Sequence, residues 1–110
     1  MSIENRRFMR IMVFFDLPVT DSEKRKEYMH FRSFLLKDGY DMLQFSVYSR
    51  LIAGTDMLDK HLIRLRKNLP PQGHIRCLTL TEKQFTKMVL LVGEKPQQEQ
   101  KINEQQCLFF

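Results

Sequence analysis

The chain has 110 residues, 43% of them hydrophobic and 28% charged, with nine Phe against four Gly and four Pro. That is the composition of one globular domain with a single two-layer core, and it excludes multi-domain, fibrous and disordered readings. Eighteen Lys and Arg against thirteen Asp and Glu give a net charge of +5, an excess that permits a polyanionic partner without demanding one. Cys77 and Cys107 lie far apart and outside any zinc-ligand spacing, which predicts a reduced, cytoplasmic protein. Residues 1–10 are polar and basic, and no apolar run approaches the ~18 residues that span a bilayer. Secretion and membrane insertion are therefore not expected.

In chain order, residues 10–17 are β-branched and aromatic on both faces and stop at Pro18, which predicts a central strand that must be covered on both sides. Thr20-Asp21-Ser22-Glu23 has capping-box spacing and predicts a helix to about Lys37, with Tyr28, Phe31 and Leu35 on one stripe. Gly39 suits the left-handed turn that ends it. Residues 42–52 alternate, with Leu43, Phe45 and Val47 against Gln44, Ser46 and Tyr48, and predict a second strand. Thr55 opens a second helix to about Leu69, whose leucines 58, 62, 65 and 69 form an apolar stripe beside a cationic one of Lys60, Arg64 and Lys67. Pro70-Pro71-Gln72-Gly73 breaks it, residues 75–80 predict a third strand, 81–86 a polar turn or short helix, and 88–92 a fourth strand. Residues 1–93 thus form the domain. Residues 94–110 form a Gln-rich tether that ends in the apolar Cys107-Leu108-Phe109-Phe110, a segment suited to docking on a sheet edge. These elements describe an α+β sandwich whose strand order the periodicity leaves open.

No dinucleotide fingerprint, phosphate loop, nucleophile elbow or zincin motif occurs. His30, His61 and His74 are scattered and receive no role; His61 reads as a helix-face residue. Asp16 is different, because a carboxylate at the end of an apolar strand is costly unless compensated. One reading is a strand-end residue that accepts from the following turn. The other is a metal ligand, since Mg²⁺ often takes only one or two carboxylates and fills its shell with water and phosphate oxygens. A two-fold dimer would bring a second Asp16 and would also cover the second face of the first strand. The alternative cover is residues 108–110 folding back within one subunit. Basic residues gather at Arg6, Arg7 and Arg10, at Lys24, Arg25 and Lys26, and at Lys60, Arg64, Arg66 and Lys67. They read either as solvated surface or as a phosphate track for a duplex backbone, with binding that weakens steeply with salt.

The run Val13-Phe-Phe-Asp16-Leu-Pro-Val-Thr-Asp-Ser-Glu-Lys-Arg-Lys26, followed by Phe31-x-x-Phe-Leu-x-x-x-Gly39-Tyr and Gln44-Phe-Ser-Val-Tyr48, resembles the CRISPR-associated protein two family, the small subunit of the spacer-acquisition machinery. The resemblance spans roughly residues 8–92, and its motifs are specific in combination rather than singly. It implies a ferredoxin-like β-α-β-β-α-β fold with an added C-terminal strand or tail, with residues 42–52 broken accordingly, and a homodimer joined through sheets and tails. It implies Asp16 as catalytic residue and ligand of Mg²⁺, or of Mn²⁺, in an endonuclease whose two copies meet at the dimer axis. It further implies a scaffold that bridges dimers of the adaptation integrase and holds duplex prespacer DNA. Arg10, Lys24, Arg25, Lys26, Lys60, Arg64 and Lys67 are the basic residues available for that track. The scaffold role is favoured, because one carboxylate per subunit is thin equipment for hydrolysis. The alternatives are a protein that is mainly an endoribonuclease or endodeoxyribonuclease, and a ferredoxin-like RNA-binding module that would display Phe14 for stacking.

Overall fold

The structure is a computed structural model, and it describes residues 8–94. Strand β1 (Met9–Asp16) is followed by helix α1 (Ser22–Lys37), the hairpin β2 (Asp41–Gln44) and β3 (Val47–Ile52), a 3-10 turn at Thr55–Met57, helix α2 (Leu58–Arg66), β4 (His74–Thr81) and the short helix α3 (Glu82–Thr86). The four strands form one antiparallel sheet in the order β2-β3-β1-β4. This is the β-α-β-β-α-β arrangement of a ferredoxin-like fold, followed by one further helix.

Side chains alternate across β1. Ile11, Val13 and Phe15 face the layer built by α1 and α2, where Phe31, Leu35, Tyr48, Ile52 and Leu65 complete the buried core. Phe15 is fixed most firmly: its ring stacks on Tyr48 at 5.6 Å and meets Phe31 edge-on at 5.4 Å and Tyr28 at 6.0 Å. Arg10, Met12, Phe14 and Asp16 therefore fall on the opposite, open face, beside Leu80, Leu78, Arg76 and His74 of β4. Helix α3 covers the Met9 end of that face, since Glu82 and Phe85 both pack against Arg10. The Asp16 end stays uncovered by the described elements.

Several local expectations needed correction. The N-cap of α1 is Asp21, whose Oδ1 accepts from Lys24 N–H at 2.9 Å, rather than Thr20. A complete capping box occurs instead at α3, where Thr81 Oγ1 accepts from Gln84 N–H and Gln84 Oε1 accepts from Thr81 N–H, each at 3.0 Å. Gly39 does end α1 with φ +97°, and Tyr40 N–H donates to Leu35 O at 2.9 Å.

The single strand that the alternation over residues 42–52 predicts is two strands joined at Phe45 and Ser46, as the family resemblance implies. That turn, with a register shift between Met42 and Gln44, resets the alternation. Tyr48 becomes a fully buried core residue and Phe45 stands 81% exposed. Residues 88–92 do not form a strand. Their five apolar side chains are 51% to 90% exposed, and β1 has β3 and β4 as its two sheet neighbours. The tether, the apolar terminus, Arg6, Arg7 and Cys107 lie outside the described residues. Among the described residues no helix is long and apolar enough to cross a membrane.

Candidate functional site

The site is the end of the open face where β1 stops. Phe15, clamped among three rings, fixes the strand so that its successor, Asp16, turns to the other face and is exposed. On one side of Asp16 lies the tip of the β2–β3 hairpin, held by Phe15 N–H donating to Ser46 O at 3.0 Å and Tyr28 O–H donating to Phe45 O at 3.4 Å. On the other side, β4 begins with His74 directly opposite Asp16 in the antiparallel register. The Gly73 backbone, at φ +99°, is pressed against this strand end. A Cβ at Gly73 would stand 2.5 Å from Leu17 Cδ2 and 2.8 Å from the Asp16 carbonyl oxygen. Only glycine tolerates both that φ and that approach.

Asp16 offers a hard oxygen donor open to solvent, which suits a Mg²⁺ ion that keeps most of its waters. Among the described residues no three His, Cys, Asp or Glu side chains converge as a metal cage. Bound Mg²⁺ would lower the pKa of a coordinated water and offset charge developing on a phosphate; Asp16 is the residue that would hold it.

The basic candidates separate into groups. Arg10 is not part of a basic surface: its guanidinium is buried, with Nη2 2.5 Å from Glu82 Oε2, Nε 3.3 Å from Glu82 Oε1, and Cζ 4.2 Å from the centre of the Phe85 ring. Arg64 is committed as well, with Nη2 2.6 Å from Asp38 Oδ1 and 3.0 Å from His61 Nδ1. Arg50 donates to the Asp38 carbonyl from the other side. These contacts form a clasp that ties the end of α1 to β3 and α2. His61 is 2% exposed within it. Burial first, and then the neighbouring Arg50, Arg64 and Lys60 charges, lower its pKa to about 4 against the opposing pull of Asp38. Burial also pushes the Tyr40 hydroxyl above its usual range.

Lys24, Arg25 and Lys26 open α1, one loop after Asp16 and hence at the same end of the sheet. Lys24 Nζ lies 3.6 Å from Asp21, and Arg25 Nη1 donates to Val19 O at 3.2 Å. Arg25 and Lys26 line a shallow groove along α1 with Ser22, Met29, His30 and Ser33. Lys60 and Lys67 are exposed on the outer side of α2. The helices carry these cations on the layer away from the open face, so the cationic track and Asp16 are brought together only at the N-terminus of α1. Sequence reasoning placed none of His74, Phe45 and Gly73 at this end of the sheet. Gly73 after two prolines was a readable signal for a turn, whereas His74 carried none.

A sequence model of the family described as CRISPR associated protein Cas2 matches residues 9–88. The chain is 56% identical over 102 residues to the CRISPR-associated endoribonuclease Cas2 of Acidovorax ebreus, covering 93% of this chain and 100% of that one. It is 46% identical over 86 residues to the protein of the same name from Treponema denticola, covering 78% and 85%. With that of Flavobacterium psychrophilum it shares 42% identity over 103 residues, covering 94% and 90%. The motifs around Asp16, Gly39 and Tyr48, the β-α-β-β-α-β sheet and these similarities agree: the chain belongs to the CRISPR-associated Cas2 family.

Proposed function

We propose that the protein acts in CRISPR adaptation as a homodimer that bridges dimers of the integrase and binds duplex prespacer DNA along Lys24, Arg25, Lys26, Lys60 and Lys67. In the same dimer, Asp16 of the two copies holds Mg²⁺, or Mn²⁺, in a phosphodiesterase site. The observation that carries the reading is the position of Asp16, solvent-open at the end of a strand whose open face has no cover at that end among the described residues. A second copy set against this face would shield Phe14 and Leu78 and bring a second carboxylate to the axis. The exposed apolar residues 88–92 favour association too, because a stretch of that length left in water is an unsatisfied interface.

Within the site each residue has a limited task. Asp16 binds the ion and thereby orients the phosphate, and the basic opening turns of α1 attract the polyanion toward it. One carboxylate per subunit is thin equipment for hydrolysis, which keeps the scaffold role foremost. The relatives' name, endoribonuclease, supports RNA as the substrate of the hydrolytic site, while the helix cations serve a duplex backbone on the other layer. The reading is tested with Asp16→Ala, assaying duplex DNA binding with and without the integrase and Mg²⁺-dependent cleavage of RNA and DNA. The expected result is lost cleavage with binding and assembly retained. Cleavage that survives Asp16→Ala refutes the hydrolytic assignment, and failure of the wild type to bind duplex DNA refutes the scaffold.

A further inference from the structure

Asp16 has a neighbour that composition and spacing do not reveal. Directly opposite residues of an antiparallel pair place their side chains on the same face, with Cβ atoms about 4.5–5.5 Å apart. Asp16 and His74 are such a pair, at the last rung of the β1–β4 ladder, and both are exposed. Neither side chain is used in an ion pair among the described residues. His74 is also held in place, since Gly73 packs on the backbone of Asp16 and Leu17 at a distance that admits no Cβ. A carboxylate and an imidazole are thus presented side by side on a rigid sheet end, as a two-donor ligand set requires.

We propose that His74 is the second protein ligand of the Asp16 metal site, so that each subunit contributes one carboxylate oxygen and one imidazole nitrogen. The inference rests on the reading of Asp16 as a metal ligand and adds a consequence to it. Mg²⁺ prefers oxygen donors, whereas imidazole binds first-row transition ions. The site therefore takes Mn²⁺ more tightly than Mg²⁺, and His74 is the source of the difference.

The test uses the full-length protein with Mn²⁺ as the probe, read by electron paramagnetic resonance titration and by electron spin-echo envelope modulation. The wild type is expected to show ¹⁴N modulation from a coordinated imidazole. His74→Gln should lose that modulation and weaken Mn²⁺ binding by at least the roughly tenfold that loss of even an outer-shell partner costs, with circular dichroism unchanged because the residue is exposed. Asp16→Asn should remove the binding. Mn²⁺ that binds in an Asp16-dependent manner without nitrogen modulation overturns the His74 assignment and leaves the Asp16 site intact. Mn²⁺ binding that is absent, or indifferent to Asp16→Asn, overturns both.

Discussion

Arg10 separates a structural cation from a nucleic-acid contact, and Arg10→Met is the perturbation that shows it. The side chains of Arg10 and Glu82 are only 7% and 11% exposed, and they meet through two contacts of 2.5 and 3.3 Å, with the guanidinium over Phe85. Removing one member of a buried ion pair costs about 3–5 kcal/mol, because the remaining buried charge loses its closest opposite charge. The lost cation–π contact adds on the order of 1 kcal/mol. A domain of this size holds about 5–15 kcal/mol in all, so the single variant is expected to lose a large part of its stability. Arg10→Met/Glu82→Gln removes both charges and should recover most of the loss. Urea unfolding followed by circular dichroism on the wild type, both single variants and the double variant gives the coupling energy directly. A loss below about 1 kcal/mol for Arg10→Met, or a double variant no more stable than the single, refutes a buried pair of the strength expected from this geometry. The same samples decide the functional question: the double variant should bind duplex DNA like the wild type. A loss of affinity comparable to that of Lys26→Ala would mean that Arg10 reaches the phosphates.

The clasp around His61 predicts a pH dependence. Its folded pKa of about 4 lies below the ordinary value of 6.5, so the unfolded chain takes up a proton first as the pH falls. The contribution is complete above about pH 6.5 and is lost between there and pH 4, on the order of 3 kcal/mol. His61→Gln should flatten that part of the urea-midpoint curve relative to the wild type; parallel curves would show that the imidazole is not held neutral. Gly73→Ala should cost about 2 kcal/mol or more, from a positive φ and a clash with the Asp16 backbone. Thermal unfolding and Mn²⁺ titration measure it, and a variant as stable as the wild type would show that the 73–74 segment is not packed on β1 as described.

Local chemistry fixed much of the fold before any tertiary contact. The β-branched and aromatic run into Pro18, the amphipathic stripe of α1 and Gly39 at its end depend on neighbours a few residues apart, and each forms where its pattern places it. Asp16 was legible for the same reason, as a charge that breaks an apolar strand. The Phe45–Ser46 turn was hidden because it contains none of the Asn, Gly or Pro residues that mark a two-residue hairpin, and missing it reversed the faces assigned to Phe45 and Tyr48. The apolar pattern of residues 88–92 fitted a strand, but the sheet had no edge for it beside β1.

Charges depended on tertiary structure most of all. A basic residue in a sequence looks like solvated surface; only folding brings Glu82 to Arg10 across 72 positions and Asp38 to Arg64, burying the first cation and pairing the second at the partly exposed edge of the clasp. His74 reverses that case. It has no motif and no near neighbour of like chemistry, and it meets Asp16 only through the register of β1 and β4. Sequence determined which residues could form strands, helices and a carboxylate at a strand end, because those depend on short-range sterics and periodicity. Which charges are buried, which face is left open and what stands beside Asp16 depend on contacts between distant segments, and those exist only once the sheet has closed.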